Sequence, residues 1–356
     1  MLRRKRSQTN HKMTNLVKEG TATDAFALRP GNGIGEMREV LTDPLFVLAP
    51  PRSFTSVVGT MLGQHPQMYA LPETHLLSCQ TMAEWWRTCE EQSFPRGHGL
   101  LRAVAELFFG GQTDRTVRLA SGWLRRRSHF TTGLLMEALA ARVHPRIIVD
   151  KSPSVVYSVK FLESIHSLFP KAKFIHLLRH PRAHGESVLR FLEERRKRGP
   201  VPASHWLLYL ATYPDLSDSS QATERSRELD PQKGWFVLNQ NINEFFKSLS
   251  NAQKLRVRGE DLLQSPDEPL RQIAEWMGLA ADETSIEAMK HPERSCYACF
   301  GPPSARYGND DFFLQSPALR PARAQPQCLE GPLSWRNDEQ GFLPEVESLA
   351  REFGYE

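Results

Sequence analysis

LFVLAPPRSFTS, residues 45–56, decides how the rest of the chain is read. An apolar run stops at two prolines, and an arginine, hydroxyls and a helix-like TSVVGTML follow. A short apolar run bounded by proline reads as a strand buried on both faces of a parallel sheet. A strand that ends this way leads into a phosphate-binding loop or into a plain strand–turn–helix corner. The backbone N–H groups of PRSFTS and the following helix N-terminus can hold an anion. Arg52 can fork onto a phosphate or sulfate, and Ser53, Thr55 and Ser56 add hydroxyl donors. The nucleotide-triphosphate pattern G-x-x-x-x-G-K-[ST] is absent.

Outward from this stretch, short strands alternate with helices. MYAL near 68–71, RIIVDKS at 146–152, KAKFIHLLRHP at 171–181 and KLRVR at 254–258 read as strands. Helices are expected over 55–62, through most of 75–143, over VKFLESIHSLF, and at about 182–197, 232–249 and 269–277. Within 75–143, Leu100, Leu101, Val104, Leu107 and Phe108 share one helical face. This alternation predicts an α/β fold, an open parallel sheet flanked by helices on both faces. Ligands of such sheets sit beyond the carboxyl ends of the strands. That rule puts Pro50 to Thr55, Asp150 to Ser152 and Arg179 to Pro181 on one rim. Residues 43–356 are expected to form a single domain with a helical insertion at about 76–144. Residues 294–332, rich in Pro, Gly and polar side chains, read as a long ordered, lid-like loop before a last helix.

The 356 residues carry a formal net charge of +4, which is slight for a dedicated nucleic-acid binder. Residues 1–42 are polar, basic at the start and without period, and read as a flexible tail. No run of about 18 apolar residues predicts a membrane span. Five cysteines in a chain of this length do not describe a disulfide scaffold, and a cytoplasmic home is expected. Cys296-x-x-Cys299, with His291 and Cys328, lacks the second pair that a structural zinc site wants, so no metal is expected. The basic ERRKRG at 194–199 suits a helix end, or an acidic partner such as a carrier protein.

A second segment bears on the first. In LLRHPRAHGES, residues 177–187, Arg179 ends a strand and Ser187 lies in the helix after it. Alone, this is a salt-bridging arginine and an ordinary helical serine. Taken in order with PRSFTSVVGTML, it resembles the sulfotransferase superfamily, whose donor is 3′-phosphoadenosine 5′-phosphosulfate. PRSFTS is similar to that family's 5′-phosphosulfate loop, P-[RK]-S-G-T-T, and LLRHPRAHGESVL to its 3′-phosphate motif. The resemblance is especially close to the bacterial and tyrosylprotein sulfotransferases, and implies their P-loop nucleoside-triphosphate-hydrolase-like fold. It implies donor contacts from Arg52, Ser53, Phe54, Thr55, Ser56 and Val57, from Arg179 and Ser187, and from Ser334 in the closing segment GPLSWRNDEQGFLPEVESLAREFGYE. It also matches Glu73, in QHPQMYALPETHLL, to a catalytic base and Lys151, in VDKSPS, to a catalytic lysine. One position departs from the pattern. Phe54 stands where the loop has glycine, and ordinary backbone dihedrals with the ring as a pocket wall are expected there.

The chemistry fits these residue types. Sulfuryl transfer builds charge on the bridging oxygen of the leaving phosphate, where Arg52 and Lys151 would stabilise it. The acceptor hydroxyl must lose a proton to a carboxylate or imidazole, and Glu73 and His75 are both capable. Asp150 either orients Lys151 or caps a strand end. Trp235, Trp276 and Trp335 are expected in the core, with Trp335 alternatively near the adenine, and Glu260 and Asp261 are expected to be structural. The expected acceptor is a small-molecule or carrier-bound hydroxyl. The alternatives are a nucleotide-dependent kinase, against which the missing Gly-Lys-Ser/Thr loop stands, and an inactive adenosine-bisphosphate-binding regulatory protein.

Overall fold

A computed structural model describes residues 43–91, 95–197, 230–320, 328–336 and 340–356. The basic tail expected over 1–42, the end of ERRKRG and residues 321–327 of the expected lid lie outside the described residues. Five strands form one sheet: β1 Leu45–Leu48, β2 Met68–Ala70, β3 Ile147–Asp150, β4 Lys173–Leu178 and β5 Lys254–Arg258. All pairings are parallel and the order is β2-β3-β1-β4-β5. The chain leaves β1 toward one edge, through β2 and β3, and returns past β1 to build β4 and β5 on the other side. β1 thus borders the point where the strand order reverses, the place where open sheets bind ligands.

Every side chain of β1 is buried, as its unbroken apolar run requires. Successive side chains alternate between the two faces of the sheet. Leu45 and Val47 share a core with Val58, Met61 and Leu62 of α1 (Thr55–Leu62). Phe46 stacks on Phe174 at 5.4 Å, and Phe174 meets Phe245 edge-on at 5.0 Å. Full burial of one such side chain is worth about 1.5–3 kcal/mol, so both faces hold β1 in place.

Between β2 and β3 the chain forms α2 (Met82–Glu91), α3 (His98–Phe109), α4 (Asp114–Arg125) and α5 (Thr132–Val143). On α3 the expected apolar face is buried to different depths. Leu100 and Val104 are fully buried, whereas Leu101, Leu107 and Phe108 are half-buried. Arg102 is also fully buried, and its Nη1 donates to the Tyr307 carbonyl at 3.2 Å. The helix therefore presents a cation to the segment at 294–316 as well as an apolar face to the core. Helical structure does not begin at His75. Residues 71–81 are irregular because Ser152 Oγ accepts the N–H groups of Thr74 and His75, each at 3.0 Å.

The remaining helices follow the expected alternation. They are α6 (Val159–Leu168), α7 (Pro181–Lys197), α8 (Pro231–Ser248), α9 (Gly259–Gln264), α10 (Asp267–Met277), α11 (Glu283–Met289), α12 (Asp311–Gln315) and α13 (Pro344–Glu352). Trp235 is buried in the core, and Trp276 packs at its margin. Glu260 Oε1 accepts the His180 N–H at 2.9 Å and its Oε2 the Tyr355 hydroxyl at 3.1 Å, a structural role. Among the described residues no helix is long and apolar enough to cross a membrane.

Candidate active site

A cavity of about 300 Å³ opens beyond the carboxyl ends of β1, β3 and β4. Its walls include Arg52, Phe54, Thr55, Ser56 and Val57 from the first loop and helix, Glu73 and His75 from the turn after β2, and Arg179 after β4. Tyr157, Phe191 and Phe313 add apolar and aromatic surface.

The first loop is held in an unusual conformation. Arg52 and Phe54 have φ of 70° and 64°, and His75 has φ of 50°. Such left-handed values cost a side-chain-bearing residue roughly 1–2 kcal/mol each. Ordinary dihedrals at Phe54 were expected and are not found. The turn needs the left-handed conformation that glycine adopts freely, and here the packing compels phenylalanine into it. Gly259 makes room for the ring, since a Cβ there would lie 2.4 Å from Phe54 Cδ2. The guanidinium of Arg179 covers the ring at 4.2 Å from its centroid, a cation–π contact. Arg179 Nη1 also donates to the Arg52 carbonyl, and His184 Nε2 to the Pro51 carbonyl at 2.9 Å. The second sequence motif therefore grips the first through two main-chain oxygens.

The carboxylate of Glu73 and the ammonium of Lys151 lie side by side. Lys151 is 1% exposed, and its Nζ lies 4.0 Å from Glu73 Oε1. Its side chain passes α1 at Gly59, where a Cβ would stand 2.2 Å from Lys151 Cδ. Ser56 Oγ donates to Glu73 Oε1 at 3.1 Å. Burial pushes the Glu73 carboxyl above the ordinary carboxylate range, against the pull of Lys151, Ser56 and Arg52. Burial likewise pulls the Lys151 ammonium below the ordinary lysine range, with Glu73 and Asp150 opposing. Asp150 bonds to Thr74 and Ser152 instead of Lys151: Thr74 Oγ1 donates to its Oδ2 at 3.0 Å and the Ser152 N–H to its Oδ1 at 2.9 Å. It anchors the turn that carries Glu73.

Two residues at the site escaped the sequence reading. Asn309 Oδ1 accepts from Lys151 Nζ, and Asp310 pairs with Arg52. The Asp310 N–H donates to Ser56 Oγ at 3.1 Å. Both residues lie in the segment expected to be lid-like, whose described part is packed onto the site. No periodicity or motif marked them; their only signal was polar residues inside an aromatic run, ARYGNDDFF.

Other expected residues stand apart. Ser53 is fully buried beside the cavity, and Ser187 is half-buried on α7 outside its walls. Ser334 is exposed, while Trp335 packs over Gly185 on α7. The five cysteines are free, and no group of metal-ligating side chains occurs among the described residues.

Residues 44–283 match the model of the sulfotransferase family. The chain belongs to the sulfotransferase family. Its five-stranded parallel sheet is that of the family's fold. Over 153 residues, 42% of the chain, it is 32% identical to nodulation protein NoeE of Sinorhizobium fredii. The match spans 32% of NoeE's own length. Its fold is similar to the sulfotransferase domain of the Synechococcus olefin synthase, with a TM-score of 0.64 and 24% identity over 89% of this chain and 96% of that one. A sulfotransferase domain from the curacin biosynthetic pathway is comparably similar, with a TM-score of 0.62 and 21% identity over 89% and 99% of the two chains.

Proposed function

We propose that this sulfotransferase moves a sulfuryl group from 3′-phosphoadenosine 5′-phosphosulfate to an acceptor hydroxyl, with Glu73 as base. The reading is carried by one observation: Arg52 and Glu73 line a cavity at the carboxyl end of β1, and Lys151 lies buried behind Glu73, 4.0 Å from its carboxylate. Two buried polar atoms support an anionic donor. Ser53 Oγ and Arg179 Nε have no hydrogen-bond partner among the described residues. Leaving such groups unpaired costs about 1–3 kcal/mol each, which phosphate or sulfonate oxygens would offset. Ser187, one helical stretch beyond Arg179, would read the 3′-phosphate, and Ser334 would join from the closing segment.

In the reaction the acceptor oxygen attacks sulfur in line. The bond between sulfur and the bridging phosphate oxygen breaks, and adenosine 3′,5′-bisphosphate leaves. The acceptor's proton passes to Glu73, whose raised affinity for protons suits it to an alcohol. Lys151 and Arg52 stabilise the charge that grows on the leaving oxygen. The protein's own cations supply this charge, and residues 43–356 would act as one catalytic domain with its helical insertion.

Val57, Phe191, Phe313 and Tyr157 give the acceptor side an apolar character, which favours a lipid-like or polyketide-type alcohol, free or carrier-bound. Long-chain and polyketide-type alcohols are the first to screen. The deciding experiment is calorimetric titration with adenosine 3′,5′-bisphosphate, with ATP and 5′-AMP as controls. Binding that needs the 3′-phosphate, and that Ser187→Ala weakens, is the expected result. No binding by a folded sample would remove the donor assignment.

A further inference from the structure

The turn that carries Glu73 continues into His75, and the bonds around that ring settle where its proton sits. Arg96 Nη2 donates to Ser78 Oγ at 2.9 Å. Ser78 gives its one proton to the His75 carbonyl at 3.0 Å. Ser154 Oγ, 3.1 Å from Ser78 Oγ, is therefore the donor of that contact. With its proton used, Ser154 can only accept from His75 Nδ1, which lies 3.1 Å away. A neutral imidazole carries one N–H, so Nε2 is bare. Nε2 is the nitrogen that faces Glu73 Oε2, at 3.9 Å, and it makes no hydrogen bond among the described residues. Ser78 and Ser154 are both largely buried, with Ser154 at the cavity wall.

The opposite tautomer would have a different consequence. An Nε2–H would turn His75 into a donor beside the Glu73 carboxylate, and a small rotation would close a hydrogen bond. That bond would favour the charged carboxylate and make Glu73 a poorer base. We propose that Ser154 and Ser78 are positioning residues for the transfer, because their hydroxyl relay locks His75 as the Nδ1–H tautomer and keeps it from donating to Glu73. The Glu73–His75 edge of the cavity then only accepts hydrogen bonds, and it receives the acceptor's hydroxyl. The role for Glu73 rests on the proposed reaction, but the tautomer does not.

The charged groups around this pair belong to every element packed on it. Lys151 comes from the end of β3, Arg52 from the first loop, Arg96 from ahead of α3, and Asp150 from beneath the turn. None of them changes charge when a serine hydroxyl is removed, so a shift in the acid limb of turnover reports on His75.

The test is the nitrogen spectrum of histidine-labelled protein at neutral pH, with His75 assigned by its loss in His75→Gln. The wild type is expected to show protonated Nδ1 and bare Nε2. Ser154→Ala is expected to populate Nε2–H and to lower kcat about 10-fold or more, toward the scale of losing a positioned base. Its acid limb should move to lower pH while adenosine bisphosphate binding is unchanged. Ser154→Thr should restore the tautomer and the rate. Ser78→Ala frees the Ser154 proton and should act in the same direction, which covers a variant that fails to fold. A wild-type Nε2–H, or a Ser154→Ala protein with unchanged tautomer and rate, overturns the proposal. Absence of donor binding in an otherwise intact relay would instead count against the donor assignment alone.

Discussion

Lys151 Nζ stands 4.0 Å from Glu73 Oε1 and also donates to Asn309 Oδ1, so one buried ammonium joins the end of β3, the turn after β2 and the 294–316 segment. A buried cation needs such partners, because desolvation of the charge otherwise costs several kcal/mol. Glu73 is then the counter-charge as well as the proposed base. Glu73→Gln is expected to lower turnover roughly 100-fold or more while leaving adenosine bisphosphate binding in place. Single-turnover kinetics with labelled donor checks the first part and calorimetry the second. Undiminished turnover would remove Glu73 from the base role.

The same pair fixes the pH dependence. Glu73 must be ionised to accept a proton, and burial raises its pKa above the ordinary 4.5. Activity should therefore fall on acidification at a pH above that value. Lys151 must stay charged, and burial lowers its pKa below 10.5, so the alkaline limb should come earlier than for an ordinary lysine. His75 is held well below its usual 6.5 and should add no limb of its own near that pH. A kcat profile with a single acid limb, lost in Glu73→Gln, is the expected record.

Gly59 lies inside α1, where helix propensity alone would favour alanine by about 1 kcal/mol. A Cβ there would stand 2.2 Å from Lys151 Cδ and 3.1 Å from its Cγ. Gly59→Ala should therefore destabilise the fold by about 1–3 kcal/mol despite the better propensity, as overpacking does. It should also lower kcat by displacing the ammonium. Denaturant unfolding and turnover, measured side by side, decide whether the glycine serves the lysine.

These residues show what the sequence discloses. β1 was legible because four apolar residues between polar neighbours and prolines have no other stable use than a doubly covered strand. Glu73, Lys151 and Arg179 were legible through motif order. Gly59 was visible only as a lone glycine in an apolar helix, since nothing local reveals that a side chain from β3, some ninety residues on, must pass it. Asn309 and Asp310 were beyond reach for a similar reason. Their positions follow from tertiary anchors, such as buried Arg102 holding the Tyr307 carbonyl at 3.2 Å, which leave no periodic trace. The stretch from His75 is mostly helical as expected, but helix starts only at Met82, because Ser152 Oγ holds the N–H groups of Thr74 and His75 and a tertiary bond overrode local propensity.

Phe54 sets two effects against each other. Phe54→Gly would relieve a left-handed conformation worth roughly 1–2 kcal/mol. It would also remove the ring under Arg179 and open a space beside Gly259. The two stability terms are of similar size, so the folding free energy should change little. Binding should change more, because an unsupported Arg179 would lose its orientation toward the proposed 3′-phosphate site. Affinity for adenosine 3′,5′-bisphosphate is expected to fall while affinity for 5′-AMP holds, as calorimetry would show. Equal losses would mean that the ring serves the loop as a whole and not Arg179.

Asp310 holds the guanidinium that the proposed donor would engage. Its carboxylate pairs with the guanidinium, and its Oδ1 also accepts the Phe312 and Phe313 N–H groups at 3.0 and 3.2 Å to cap α12. Asp310→Asn keeps an oxygen for the cap and removes the charge. Any anion that engages Arg52 must displace this partner, so its loss should tighten binding. The pair is largely withdrawn from water but not sealed, with side chains 15% and 20% exposed, which limits its strength. A gain of about 5-fold in affinity for adenosine bisphosphate, near 1 kcal/mol, is the expected scale. Weaker binding in Asp310→Asn would show the reverse, that the aspartate holds Arg52 in the orientation the anion needs.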